Sequence, residues 1–256
     1  MGSLDHGRDG AQRRTLERVL ARLGLCSRAS AREFVLAGRV TLDGKVVRDP
    51  DLWLRLASAR LELDGRLLSA AEGVYLALHK PKGYVTTFED PGKRRTVYDL
   101  LSDQTAWVAP VGRLDQDTSG LLLFTNDSDW AHGITSPESK LPKRYRVRAA
   151  PALKAESLAA LERGLVLDDG PTRPAVAAEF KDYKGYCVFE LTITEGRNRQ
   201  VRRMLAAVGS KVQELRRIAI GPVQLGDLAS GKTRPLTKSE VRRLRLDGSA
   251  RRTLGD

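Results

Sequence analysis

The chain has 256 residues, enough for one or two domains with a buried core, and a formal charge of +12 from 44 basic against 32 acidic residues. That excess points to a polyanionic partner, nucleic acid first, and no apolar run reaches the roughly 20 residues that cross a bilayer. Two distant cysteines and three isolated histidines offer no metal spacing, no disulfide spacing and no serine-triad base, so neither a metal nor a cofactor is expected.

Residues 1–12 carry no apolar segment of the secretory kind and are expected to be a flexible tail on a cytoplasmic protein. In "RTLERVLARLGLCSRASAREFVLAGRVTLDGKVV" (14–47), Leu16, Val19, Leu20 and Leu23 recur at helical spacing and Gly24 is placed to stop the helix. Cys26 follows as an expected buried thiol. Ser27 is an N-cap for a second helix that turns Phe34 and Val35 inward and stops at Gly38. "VTLDGKVV" alternates around Asp43-Gly44, a hairpin pattern, and Asp64-Gly65 repeats it in "LELDGRLL".

From Arg13 to Arg48 stand nine basic residues against three acidic ones, a local net of +6 and half the formal charge of the chain. Charge runs are usually a solvated face, but here they crowd two short helices and a hairpin, which favours RNA or DNA contact. The arrangement resembles the S4 RNA-binding module, carried by "SRASAREFVLAGRVTLDGK" and covering about 13–60. We therefore place an S4-like domain at 13–66 and expect Arg18, Arg28, Arg32, Arg39 and Lys45 to meet RNA.

A linker at 67–73 precedes a larger region, 74–246, and a loose tail at 247–256 is expected. Strand-like and helical stretches alternate there without regular βαβ spacing, which predicts an α+β domain on a mainly antiparallel central sheet. "HKPKGY" (79–84) reads first as a solvated turn presenting Lys80 and Lys82. "GRLDQDTSGLLLFTND" (112–127) puts Asp115 and Asp117 in a turn ahead of an apolar strand, where aspartates ordinarily cap or shape the turn. "KRYRV" (143–147) sets Tyr145 between arginines, as half-buried core or as a ring on which a base stacks. In "EGRNRQVRRMLAAVG" (195–209), Val201, Leu205 and Val208 mark a buried helix face. Arg197, Arg199, Arg202 and Arg203 crowd the start of that helix, against its dipole, and call for an anion there, RNA phosphate or protein carboxylate.

Together these four stretches, with "ELRRIAIG" after them, resemble the RsuA-like family of bacterial ribosomal RNA pseudouridine synthases over nearly the whole chain. The resemblance implies a catalytic domain at 74–246 that detaches uracil from ribose C1′ and rejoins it through C5. It makes Asp115 the catalytic carboxylate, either a nucleophile at C1′ or the base that yields a glycal, with Arg202 as its ion-pair partner. Tyr145 would stack on uracil and help remove the C5 proton, Arg113 would grip phosphate, and Lys80 would stand at the rim. Lys82, Arg197, Arg199 and Arg203 would bind RNA around the cleft. Many members of the family carry histidine where Arg199 stands. The expected substrate is 23S ribosomal RNA, with 16S the alternative, free or in an assembling subunit, and the protein is expected to be a monomer. The rival readings are a tRNA pseudouridine synthase and a non-catalytic, S4-bearing ribosome assembly factor.

Overall fold

Apolar spacing and two Asp-Gly turns shape the N-terminal part of the molecule. The computed structural model describes residues 13–55, 59–69, 71–102, 104 and 106–250, and the chain divides into two compact units. The expected tail at 1–12 lies outside the described residues. The first unit holds the chain up to Val74 together with Gln104–Ala109 and Thr125–Ser128, and the remainder forms the second.

In the first unit, β1 (Arg14–Thr15) leads into α1 (Leu16–Arg22) and α2 (Arg28–Leu36). Leu16, Val19, Leu20, Ala31 and Val35 are buried together in a single core. Gly24 and Gly38 follow the two helices with positive φ, and the Ser27 hydroxyl accepts a hydrogen bond from the Ser30 amide at 3.0 Å. Cys26 is half-buried, and desolvation raises its thiol pKa.

Strands β2 (Val40–Leu42) and β3 (Lys45–Val47) form the first hairpin. After β4 (Trp53–Leu54), which pairs with β1, β5 (Leu61–Leu63) and β6 (Arg66–Leu67) form the second. Both Asp-Gly pairs have positive φ at each central residue, the geometry that lets a two-residue turn follow the twist of its strands. Pairing of β2 with β5 joins the hairpins into a four-stranded sheet. Leu67, expected at the start of the linker, is the last residue of β6.

Much of the basic charge in this unit is answered internally. Glu17, only 7% exposed, accepts from Arg28 at 2.6 Å and Arg32 at 3.0 Å. Arg32 also reaches Asp51, and Arg39 pairs with both oxygens of Asp64 at 3.0 and 2.5 Å. Arg28, Arg32 and Arg39, expected as RNA contacts, are thus tied to carboxylates of the same unit, because the fold sets acids facing them that are distant in sequence. Arg18 and Lys45 are exposed.

The second unit is built on a twisted sheet. Its strands are β7 (Tyr75–Lys80), β8 (Ala109–Val111), β9 (Ser119–Thr125), β10 (Lys143–Ala150), and, beyond the short hairpin of β11 (Val166–Leu167) and β12 (Gly170–Pro171), β13 (Val176–Tyr183) and β14 (Tyr186–Ile193). Then come β15 (Lys211–Ile220), β16 (Val223–Gln224) and β17 (Thr233–Pro235). The order is β13-β14-β10-β15-β9-β7-β17, with β16 against β15 and β8 against β9. β13–β14, β14–β10, β10–β15 and β7–β17 pair antiparallel and β9 pairs parallel to β15, so the mainly antiparallel α+β reading holds.

Helices α3 (Ser128–Thr135), α4 (Ala155–Arg163), α5 (Gln200–Ala207) and α6 (Lys238–Ala250) complete the unit. Leu121 and Leu123 of β9, Ala77 of β7, Trp130 and Ile134 of α3, Ile220 of β15 and Leu244 of α6 share its core. Helix α6 runs to Ala250, past the expected start of the loose tail at 247, and residues 251–256 of that tail lie outside the described residues. Thr237 and Glu240 start that helix with reciprocal hydrogen bonds of 2.8 and 3.1 Å, and the following run has good helix formers.

One contact fixes the centre of the sheet. Gly120, at φ +108°, lies so close to β15 that a Cβ there would sit 2.2 Å from the Arg217 carbonyl oxygen, so only glycine lets the two strands meet.

Candidate active site

The turn that carries Asp115 and Asp117 runs between β8 and β9 and is held by groups far from it in sequence. Lys80, the last residue of β7, is fully buried. Its Nζ donates to the carbonyls of Asp115 at 3.0 Å, Thr118 at 2.8 Å and Pro81 at 3.0 Å. Burial pulls this lysine down to about 8, against the opposing charges of Asp115 and Asp117. Lys80 is therefore not a rim or RNA-contacting residue, as the sequence suggested: all three of its donors are spent on backbone. Lys82 does lie exposed in the turn that follows.

That turn braces the acidic one. The Gly83 amide donates to the Gln116 carbonyl at 2.8 Å, and the Gln116 side chain returns a bond to Gly83 at 3.3 Å. The Thr86 hydroxyl bonds the Leu114 backbone from both sides, donating at 2.8 Å and accepting at 3.3 Å. From β15, Arg217 donates through Nε to Leu121 at 2.7 Å and through Nη1 to the Arg113 carbonyl at 3.5 Å. "HKPKGY" and "GRLDQD" are thus two sides of one rigid support.

Asp115 opens onto a cleft of about 1110 Å³, with its side chain one-third exposed. Arg113, Tyr145, Arg197 and Arg199 line the same cleft. Tyr145 is 8% exposed and sits on β10 between Leu191 of β14 and Arg217 of β15. The structure brings Asp115, Tyr145, Arg113 and Arg199 onto one wall system, whereas Arg202 and Arg203 do not line it.

The ion pairs differ from the expected ones. Arg199, the residue just before α5 and in the left-handed region at φ +47°, places Nη1 3.7 Å from Asp115 and Nη2 3.1 Å from Asp117. Arg202 pairs with Asp117 at 3.2 Å and donates to the Asp117 carbonyl at 3.1 Å. The pairing of Arg202 with Asp115 is corrected: one helical turn separates the two arginines, and the turn's backbone offers Arg202 Asp117 instead. Asp117 is likewise more than a turn former, since it holds two arginines. Burial would raise its carboxyl, but the Arg199 hydrogen bonds and the Arg202 charge outweigh that and hold it below the ordinary aspartate value.

Arg197 and Arg203 are occupied too. Arg203 pairs with Asp168 at 2.5 Å and Asp169 at 2.8 Å, while Arg197 donates to the Gly170 carbonyl at 3.0 Å and contacts the Asp169 carboxylate and the Pro171 carbonyl. These bonds lock the start of α5 to the β11–β12 hairpin. Of the two anions the helix start called for, RNA phosphate or protein carboxylate, these two arginines have the carboxylate.

Two cleft residues escaped the sequence reading. Lys143 lies two positions before Tyr145 on β10, hence on the same face, and Arg217 is Tyr145's cross-strand neighbour at 5% exposure. The strand alternation of "KRYRV" was the available signal for Lys143. Burial pushes Lys143 down to about 8, helped by the charges of Arg217 and Arg173 and opposed by Glu195. Among the described residues, no group of three or more His, Cys, Asp or Glu is placed to hold a metal ion, and no helix is long and apolar enough to cross a membrane.

Comparison with known proteins gives the family of the chain. Residues 74–207 match the family described as RNA pseudouridylate synthase, and residues 14–52 match the S4 domain. The chain is 38% identical over 232 residues to ribosomal large subunit pseudouridine synthase B of Bacillus subtilis, covering 90% of this chain and 95% of the relative. It is 39% identical over 221 residues to the protein of the same name from Yersinia pestis, covering 82% and 68% respectively. A crystal structure of a pseudouridylate synthase superposes with a TM-score of 0.66 at 36% identity, covering 90% of this chain and 99% of that one. The chain belongs to the RNA pseudouridylate synthase family, in the form that carries an N-terminal S4 domain.

Proposed function

We propose that this pseudouridine synthase isomerises a uridine of 23S ribosomal RNA, with Asp115 acting at the ribose and Tyr145 facing the base. The observation that carries the reading is the Asp115 turn itself: a carboxylate open to a large cleft, on a backbone held by Lys80, Thr86, Gln116 and Arg217. A fixed nucleophile or base needs such support, because a misplacement of about 1 Å can cost 100-fold in rate. The large-subunit substrate is supported by the names of the two relatives above.

A base paired in a helix hides its C1′, so the nucleotide enters the cleft flipped out. Arg113, exposed at the cleft wall, is placed to hold its phosphate, and Tyr145 to meet the uracil ring. Arg199 supplies a countercharge within 3.7 Å of Asp115. The S4 domain adds grip on structured RNA through Arg18 and Lys45, and the protein works as a monomer on free or assembling large-subunit RNA. Incubating the protein with 23S and 16S transcripts and mapping pseudouridine in each tests this reading. Conversion of a single 23S site supports it, and conversion in 16S alone, or in neither, refutes it.

A further inference from the structure

The Asp115 turn does not account for every cation in the cleft. Lys143 faces it with no hydrogen-bond or ion-pair partner among the described residues, and Arg217 has a buried Nη2 with no acceptor. A buried donor left without an acceptor is costly, so Arg217 Nη2 marks a place where an acceptor is due, and the half-buried Lys143 lines the same cleft with a free ammonium. The pair flanks Tyr145: Lys143 two residues along the same strand face, Arg217 directly opposite on β15. Around Lys143 stand Arg217 on β15, Arg173 before β13 and Glu195 after β14. Arg173 is committed to backbone, donating to the Pro137 and Thr194 carbonyls at 3.4 Å each, and Glu195 accepts from the Arg173 amide at 3.0 Å. Lys143 and Arg217 Nη2 remain the open donors.

What fills them follows from the chemistry of the step. When the C1′–N1 bond breaks, its electron pair stays on N1 and the uracil carries a negative charge spread over N1, O2 and O4. This holds whether Asp115 attacks C1′ or removes a sugar proton to give a glycal. The ring then turns and C5 forms the bond to C1′, displacing the Asp115 carboxylate on the first route or taking the removed proton back onto the sugar on the second. The C5 proton leaves to a base and N1 takes up a proton, so that the product is an isomer of the substrate. Between cleavage and rejoining, a free anion must be held and must not diffuse away. We propose that Lys143 and Arg217 bind the carbonyl oxygens of the departing uracil and stabilise its negative charge while it turns against Tyr145. The assignment rests on the reading of Asp115 and Tyr145 given above, and it extends that site to the leaving group. Donors aimed at developing charge in a water-poor site are typically worth about 100-fold or more in rate.

The test compares the wild type, Lys143→Met and Lys143→Arg in single turnover on two large-subunit RNA transcripts, one ordinary and one with 5-fluorouridine in place of uridine. Fluorine stabilises the uracil anion and also stops the reaction once the new C–C bond forms, so that substrate reports cleavage and rejoining alone. Lys143 has no internal partner to orphan, so its replacement should leave the fold intact, which thermal unfolding checks. We expect Lys143→Met to lose about 100-fold on ordinary RNA but no more than about 10-fold on the fluorinated RNA, with RNA affinity within about threefold of wild type. Lys143→Arg should recover most of the rate. Equal losses on both RNAs, or a loss confined to affinity as a phosphate contact would give, overturn the assignment. A wild type that converts no uridine refutes the proposed function instead, and the two failures are thereby distinguished.

Discussion

Arg202 and Asp117 form an ion pair at 3.2 Å, and the same arginine donates to the Asp117 carbonyl at 3.1 Å. The pair joins the first turn of α5 to the turn that bears Asp115. Arg199 completes it by reaching both aspartates, at 3.7 Å to Asp115 and 3.1 Å to Asp117. The second acid of "GRLDQD" therefore positions the cation that faces the first.

Asp117→Asn should lower the single-turnover rate by about 100-fold while RNA affinity stays close to wild type, because the turn and Arg199 both lose their anchor. The variant keeps the size of the side chain and removes only charge. A rate equal to wild type would show that Asp117 plays no part in positioning.

Lys80→Met should destabilise the protein by about 3 kcal/mol or more, since three carbonyls lose their donor and an orphaned buried group costs roughly 1–3 kcal/mol. Urea unfolding measures it, with turnover of the remaining folded protein as a second readout. An unchanged unfolding midpoint would mean that the Asp115 turn stands without this lysine.

The strands, the helix stops and both Asp-Gly hairpins were legible in the sequence because each depends on residues within a few positions of one another. Gly24, Gly38, Asp43-Gly44 and Asp64-Gly65 all behave as local chemistry requires. The candidate site was legible as a set of motifs but not as a set of partners. Lys80 reads as a solvated turn residue, because nothing near it in sequence announces that β9 and the Asp115 turn will close over it. Arg202 and Arg203, at the start of α5, find their carboxylates at residues 117, 168 and 169, a choice made by strand order and helix phase. Glu17 likewise gathers Arg28 and Arg32 only once two helices pack.

That last cluster gives a pH prediction. Hydrogen bonds from Arg28 and then Arg32 hold the Glu17 carboxyl below its ordinary value of 4.5. A depressed carboxylate contributes stability that is present above the unfolded value and lost as pH falls through the folded one. Thermal stability should therefore drop as pH falls below about 4.5, and Glu17→Gln should flatten that part of the profile. The same slope in the variant would place the acid sensitivity elsewhere.

A second pH effect belongs to the cleft. Lys143, pushed down to about 8, is charged below that pH and neutral above it. If it holds an anionic leaving group, the single-turnover rate of the wild type should fall as pH rises through about 8, while Lys143→Arg should stay flat there. Lys80 also titrates near 8, so the arginine variant is the control that separates the two. A Lys143→Arg profile that falls with the wild type would exclude Lys143 as the titrating group.

In the S4 domain the unanswered cations should differ from the paired ones. Replacing Arg18 and Lys45 together by alanine should reduce the salt slope of RNA binding by about 1.5, at 0.7–0.9 per phosphate contact. Replacing Arg39, which is bonded to Asp64, should cost stability and leave the slope almost unchanged. The reverse pattern would show that the Arg39 pair opens to meet RNA.

The most direct test of the central claim is pseudouridine formation by Asp115→Asn on the 23S transcript that the wild type modifies, with RNA affinity measured on the same preparation. The account predicts no detectable product and an affinity within about threefold of wild type, since Asp115 acts on the sugar and Arg113, Arg18 and Lys45 carry the grip on RNA. Conversion by the variant at the wild-type rate would contradict it.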